Sequence, residues 1–317
     1  MRVALVLLLT LVIALIGVSG CATITAEKNA PAIGRFVEVD GQQLHVLEAG
    51  LEHKGTAPSI ILIHGASINL RDMDIALGEP LSARYHVMMI DRPGRGYSTR
   101  PKDGYRLSTQ AALIHGAAKA LQIENPIVVG QSFGGSVALS YALDYQEEMA
   151  GLVVLAGVSH EWQGGVAWHN SASNIPVLGF FLRRLIVPAY GQSVGPNGVA
   201  SSFAPDEAPS NYYERVGLPL LFRASDFKSN AEDIVHLKRE IIAMQDRYGE
   251  LDLPTAILTG DGDTTVSPEI HSKTLAKQVK GAYFQVLPDT GHALHHSEKD
   301  IIISVIDELA ENRLTQN

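Results

Sequence analysis

Ser132 stands in Gly130-Gln131-Ser132-Phe133-Gly134, between the apolar run Pro126-Ile127-Val128-Val129 and a helix-like stretch over 136–143. A serine on a sharp strand-to-helix turn has its hydroxyl pushed clear of the chain, where it is available as a nucleophile. Flanking glycines suit such a turn, because side chains there would collide with the neighbouring strand and helix. Gly135 extends the small-residue run where the helix must pass close to the sheet. A hydroxyl is a weak nucleophile until a base takes its proton, and the base needs a partner to hold its tautomer. Two later loops offer both groups. Asp261 and Asp263 lie in Thr259-Gly260-Asp261-Gly262-Asp263-Thr264-Thr265-Val266, just past the apolar run Thr255–Leu258. His292 ends Pro288-Asp289-Thr290-Gly291-His292, just past Tyr283–Leu287, with His295 and His296 as competitors closer to the terminal helix. Both loops would sit at the carboxyl ends of strands, where parallel sheets bind ligands.

The elements that must position these residues are legible. Arg35–Asp40 and Gln43–Glu48 alternate apolar and polar residues around Asp40-Gly41, a hairpin pattern. Ser59–His64 and His86–Asp91 are continuous apolar runs, as strands buried on both faces of a parallel sheet require. Ile127–Val129, Leu152–Leu155, Thr255–Leu258 and Tyr283–Leu287 continue the series. Helical stretches lie between most of them: 108–121 with Ser108 placed as its cap, then roughly 267–279 and 297–312. Alternating strands and helices predict a mostly parallel sheet of about eight strands flanked by helices. The rhythm breaks over 161–250, which has six prolines and several helical pieces but no strand of comparable quality. We read 161–250 as an inserted helical cap on a core formed by 35–160 and 251–317. The insertion carries 11 of the chain's 20 aromatic residues, which points to an apolar lining or to the cap's own core.

With 317 residues, 46% apolar and 19% charged, the chain can bury a large core. A net charge of −9 with no long basic run argues against nucleic-acid binding and against attraction to a membrane through a polybasic patch. The N-terminus is a separate unit. Met1-Arg2 is followed by an almost wholly apolar stretch, 3–18, then Ser19-Gly20-Cys21. That order reads as a secretory signal peptide, 1–20, ending in a bacterial lipobox whose lipid-modified Cys21 becomes the mature N-terminus. An uncleaved anchor and an unmodified cysteine are the competing readings. Residues 21–34, polar and small, read as a tether to the cell envelope. Cys21 is the only cysteine, so the mature domain forms no internal disulfide.

Taken jointly, His64-Gly65, Asp91-Arg92-Pro93-Gly94-Arg95-Gly96-Tyr97-Ser98, Gly130-Gln131-Ser132-Phe133-Gly134, Gly260-x-x-Asp263 and Gly291-His292 resemble the α/β-hydrolase superfamily across nearly everything after Gly34. The resemblance implies Ser132 as nucleophile, Asp263 rather than Asp261 as orienting acid, and His292 as base. It implies backbone N–H groups of Ala66 and Phe133 as the oxyanion hole, and a cap between the sixth strand and the acid-bearing strand. His64 then braces its loop, and Asp91–Ser98 is a turn shaped for packing. The remaining histidines, among them His45, His86, His115 and His236, read as packing or surface residues. A serine at this turn excludes the aspartate- and cysteine-dependent branches of the superfamily. What remains is serine chemistry: hydrolysis of carboxylic esters or lipids, with small or medium apolar esters foremost, thioester hydrolysis, carbon–carbon bond hydrolysis or cofactor-free perhydrolysis; an inactive envelope binding protein is the reading from another class. No cofactor is expected. No His-Glu-x-x-His or paired cysteines suggest a metal, and Asp261-Gly262-Asp263 lacks the glycine and closing glutamate of a calcium loop. Gly94-Arg95-Gly96 lacks the context of a dinucleotide site. Phe180–Val187 mixes apolar residues with two arginines, a pattern shared by a membrane-surface segment and a cap helix packed on the core; the second reading is favoured.

Overall fold

The computed structural model describes residues 2–313, apart from the side chains of residues 2–5, 7–9, 11, 14, 15, 189 and 190. Eight strands form one sheet in the order β1-β2-β4-β3-β5-β6-β7-β8. They are β1 (Arg35–Val39), β2 (Gln42–Ala49), β3 (Ile60–Ile63), β4 (Val87–Ile90), β5 (Ile127–Gln131), β6 (Gly151–Leu155), β7 (Thr255–Gly260) and β8 (Tyr283–Leu287). β2 is antiparallel to both β1 and β4, and every pairing from β4 to β8 is parallel. The continuous apolar runs arise because the central strands are covered on both faces. Ile61, Ile63, Val128 and Val154 face one layer, which holds the helices Leu107–Ala120 and Phe133–Tyr145. Ile60, Leu62, Val129 and Val153 face the other, where the helix Lys299–Ala310 packs. Each of these fully buried side chains contributes about 1.5–3 kcal/mol relative to exposure. Ser108 does not cap its helix, which begins at Leu107 with Arg106 at the cap position and no side-chain cap bond.

The chain leaves β3 to one side for β4 and to the other for β5, so a crevice opens where the strand order reverses. The loops after β3 and β5 meet there. Between β6 and β7 the described residues are helical or irregular and contain no strand. Their longest helix, Ala224–Met244, presents Asp233 to Arg92 and Arg100 of the core, with both ion pairs at 2.8 Å.

The segment expected as a tether is structured. A single helix runs from Arg2 to Asn29. Near its end Ala26 and Ala30 are buried with Leu220 of the cap, Glu27 pairs with Arg223 at 2.9 Å, and Tyr97 Oη donates to Ala30 O at 2.7 Å. Among the described residues no helix is long and apolar enough to cross a membrane.

Candidate active site

β5 delivers Ser132 into a turn with φ +56° and ψ −120°, a conformation that a residue with a side chain adopts only when its surroundings enforce it. Glycines remove the obstructions. A Cβ on Gly130 would sit 2.2 Å from Gly134 O, and one on Gly134 would sit 2.2 Å from Ile63 O. Gly135 packs its Cα side against Gly157, which is the close helix–sheet passage that the small run implied. The backbone is secured by Ser132 N–H donating to Leu155 O at 2.9 Å.

The loops after β7 and β8 come together for the same steric reason. Thr290 O occupies the space a Cβ of Gly260 would need, at 2.1 Å, and Ala204 O does so for Gly291 at 2.2 Å. His292 is thereby set between the two other groups. Its Nδ1 lies 2.7 Å from Asp263 Oδ2 and its Nε2 lies 2.9 Å from Ser132 Oγ. The other Asp263 oxygen accepts from Thr265 N–H at 2.8 Å and Val266 N–H at 2.9 Å, which fixes the carboxylate. Gln131 Nε2 donates to His292 O at 3.2 Å. Asp261, two residues away, is exposed and takes no part. His295 and His296 turn away from Ser132 and each bonds a separate oxygen of Asp72, at 2.8 Å.

Ala66 follows His64-Gly65 at the end of β3 and lines the same cavity as Ser132 and His292. Phe133 begins the helix after Ser132, so its N–H lacks an intrahelical partner. His64 braces this loop: its Nδ1 donates to Gly65 O at 2.8 Å and its Nε2 accepts from Arg92 N–H at 3.0 Å. Burial, reinforced by the neighbouring Arg92 charge, lowers its pKa to about 3, so the ring is neutral.

The site opens into a cavity of about 700 Å³, within the range of small-molecule pockets. Its walls are largely apolar and come mostly from the cap, including Leu182, Ile186, Val194, Phe222 and Ile234. Of the cap aromatics, Trp168, Phe203, Tyr212, Phe222 and Phe227 line the cavity, whereas Tyr248 is core. The Phe180–Val187 segment divides: Leu182 and Val187 pack with Phe222, while Phe180 and Phe181 remain partly exposed.

Three features carried no sequence signal. Asp72 is buried at the cavity wall; burial alone would raise its carboxyl pKa, but His295 and His296 outweigh that and hold it well below the usual range. Asp72, His295 and His296 are also the one group among the described residues with atoms placed to hold a metal, and the Nε2 atoms of both histidines are already bonded to the Asp72 carboxylate. Asn230 and Asp233, on the cap helix, reach the loop after β3 directly and through Arg92. A short polar residue in an amphipathic helix carries no mark of such a distant contact.

A family model described as the alpha/beta hydrolase fold matches residues 58–187. Proline iminopeptidase PfmaB of Pestalotiopsis fici is 25% identical over 288 residues, spanning 86% of this chain and 97% of its own. The 2-hydroxymuconate semialdehyde hydrolase of Pseudomonas putida is 24% identical over 282 residues, spanning 86% of this chain and 93% of its own. A crystal structure of a membrane phospholipase A superposes with a TM-score of 0.67 at 21% identity, covering 97% of this chain and 98% of that one. The fold is that of the α/β hydrolases, and the family model matches its first half, from the strand before His64 into the segment after β6.

Proposed function

We propose that the chain is a serine hydrolase that cleaves small to medium apolar carboxylic esters through an acyl-enzyme. The observation that carries this reading is the relay Ser132 Oγ, His292 Nε2, His292 Nδ1, Asp263 Oδ2, with contacts of 2.9 and 2.7 Å, at the floor of a largely apolar cavity. His292 accepts the Ser132 proton as Oγ bonds to the ester carbonyl carbon. The carbonyl oxygen becomes an oxyanion held by the N–H groups of Ala66 and Phe133. Collapse breaks the bond to the alcohol oxygen, which leaves with the proton from His292. Water then attacks the acyl carbon by the same route, and its proton passes through His292 back to Ser132. Asp263 keeps Nδ1 protonated and stabilises the imidazolium.

Ser132→Ala is expected to reduce turnover of an activated ester by at least about 10³-fold and to abolish labelling by a fluorophosphonate probe, with unchanged circular dichroism. Undiminished turnover in that variant would sink the assignment. An envelope binding protein that retains the fold without the activity would leave the parent chain unlabelled.

Carbon–carbon hydrolysis by the same three residues is the second reading, favoured by the likeness to a semialdehyde hydrolase. Turnover of a vinylogous diketone without ester cleavage would establish it in place of the first.

The lipobox-like Val18-Ser19-Gly20-Cys21 supports placing the mature protein on the bacterial cell envelope, anchored through lipid on Cys21. That cysteine is exposed, as modification requires.

A further inference from the structure

Ala66 supplies an N–H to the proposed oxyanion hole, and its direction depends on the two peptide planes that flank the residue. The first plane contains Gly65 C=O and Ala66 N–H, which are locked together because the peptide is planar. Gly65 O accepts from His64 Nδ1 at 2.8 Å and from Arg92 Nη2 at 3.1 Å. The second plane contains Ser67 N–H, which donates to Asn230 Oδ1 at 2.7 Å. The Asn230 amide returns a bond from Nδ2 to Ser67 Oγ at 3.0 Å. Ser67 has φ +60°, a left-handed conformation costing about 1–2 kcal/mol, so it needs holding.

The holding comes from the cap. Asn230 is buried on the helix Ala224–Met244, and Asp233, three residues on and so on the same face, pairs with Arg92 at 2.8 Å. One cap helix therefore acts on both planes, on one directly and on the other through Arg92. Asn69 Nδ2 adds a bond to Val216 O of the cap at 2.7 Å.

We propose that Asn230 is a positioning residue for the oxyanion hole, so that the seated cap completes the catalytic geometry as well as lining the cavity. This rests on the serine-hydrolase reading above. It differs from two simpler roles for Asn230, a contact to substrate and a support for the fold.

Asn230→Ala is expected to lower kcat by about 10- to 100-fold, less than the 10²–10³ seen when an oxyanion donor is removed outright. KM stays within about threefold, because the apolar walls are untouched. Affinity for a trifluoromethyl ketone, which forms a tetrahedral adduct, and the rate of fluorophosphonate labelling fall by the same factor as kcat. The midpoint of the pH–rate profile stays in place. A loss confined to KM, or labelling at the parent rate, overturns the proposal while leaving the hydrolase reading intact. Failure of the parent protein to label at Ser132 overturns both. Should Asn230→Ala not fold, Asn230→Ser carries the test. Its hydroxyl keeps a polar group at the site but is too short to accept from Ser67 N–H, which Asn230 Oδ1 meets at 2.7 Å. An unchanged kcat in that variant is likewise fatal to the proposal.

Discussion

His64 illustrates how a buried residue can hold a loop by staying neutral. Its Nδ1 donates, and the bond accepted at Nε2 from Arg92 N–H requires the uncharged ring, because a protonated Nε2 has no lone pair. Its pKa is lowered from 6.5 to about 3 by burial and then by Arg92; burial likewise lowers His271 to about 4. In the unfolded chain both would protonate near their ordinary value, so between pH 6.5 and the folded values the unfolded state binds more protons. Stability is therefore whole above pH 6.5 and is lost as pH falls, by about 1.4 kcal/mol per pH unit for each ring. Urea titrations at pH 7 and pH 5 are expected to differ by about 4 kcal/mol from these two residues, and His64→Gln should flatten part of that slope. Equal stability at the two pH values would refute the neutral, buried assignment. At this scale the sequence was most informative about glycine. The spacing Gly260-x-x-Asp263 pointed to Asp263, whose Oδ2 lies 2.7 Å from His292 Nδ1, and Thr290 O fills the place of a Cβ on Gly260. The contact of Asp72 with His295 and His296 spans more than 200 positions, and local spacing holds no trace of it.

Among the elements, the cap helix Ala224–Met244 binds the insertion to the core through charge. Asp233 is fully buried and meets Arg92, Arg100 and the amide of Gln110. Burial lowers the Arg92 pKa to about 10 against the opposing pull of Asp233, which leaves it charged at neutral pH. Arg92 also stacks its guanidinium 4.2 Å over the Phe133 ring, joining the cap helix to the helix that begins beside Ser132. Removing the carboxylate would strand a buried cation, so Asp233→Ala should cost about 3–5 kcal/mol in urea unfolding. A loss below about 1 kcal/mol would mean that water or a rearranged neighbour satisfies Arg92. Apolar runs and turn glycines forecast the strands well because burial on both faces leaves a continuous signature. The start of helix Leu107–Ala120 was misplaced by Ser108, since a good capping residue marks a helix only where the backbone enters from that side.

Across the whole molecule, the N-terminal helix and the catalytic domain share a contact that bears on anchoring. Glu27, Ala26 and Ala30 dock on the cap within ten residues of Cys21, so a lipid there would hold the cap close to the membrane. Mass spectrometry of the membrane-extracted protein is expected to find a lipid-modified N-terminal peptide beginning at Cys21. An unmodified peptide beginning at Met1 would mean a retained anchor in place of lipidation. By itself the sequence determined the order of the strands, the strand-free insertion after the sixth of them and the serine turn. Each of these depends on neighbours in the chain, through alternation, apolar runs and the space that glycine leaves free. Only the tertiary structure decided which cap residues face the crevice, that Asn230 and Asp233 brace the loop after β3, and that Asp72 joins two histidines. Those pairings depend on how separately formed elements pack, and packing acts on distance in space with no regard for distance along the chain.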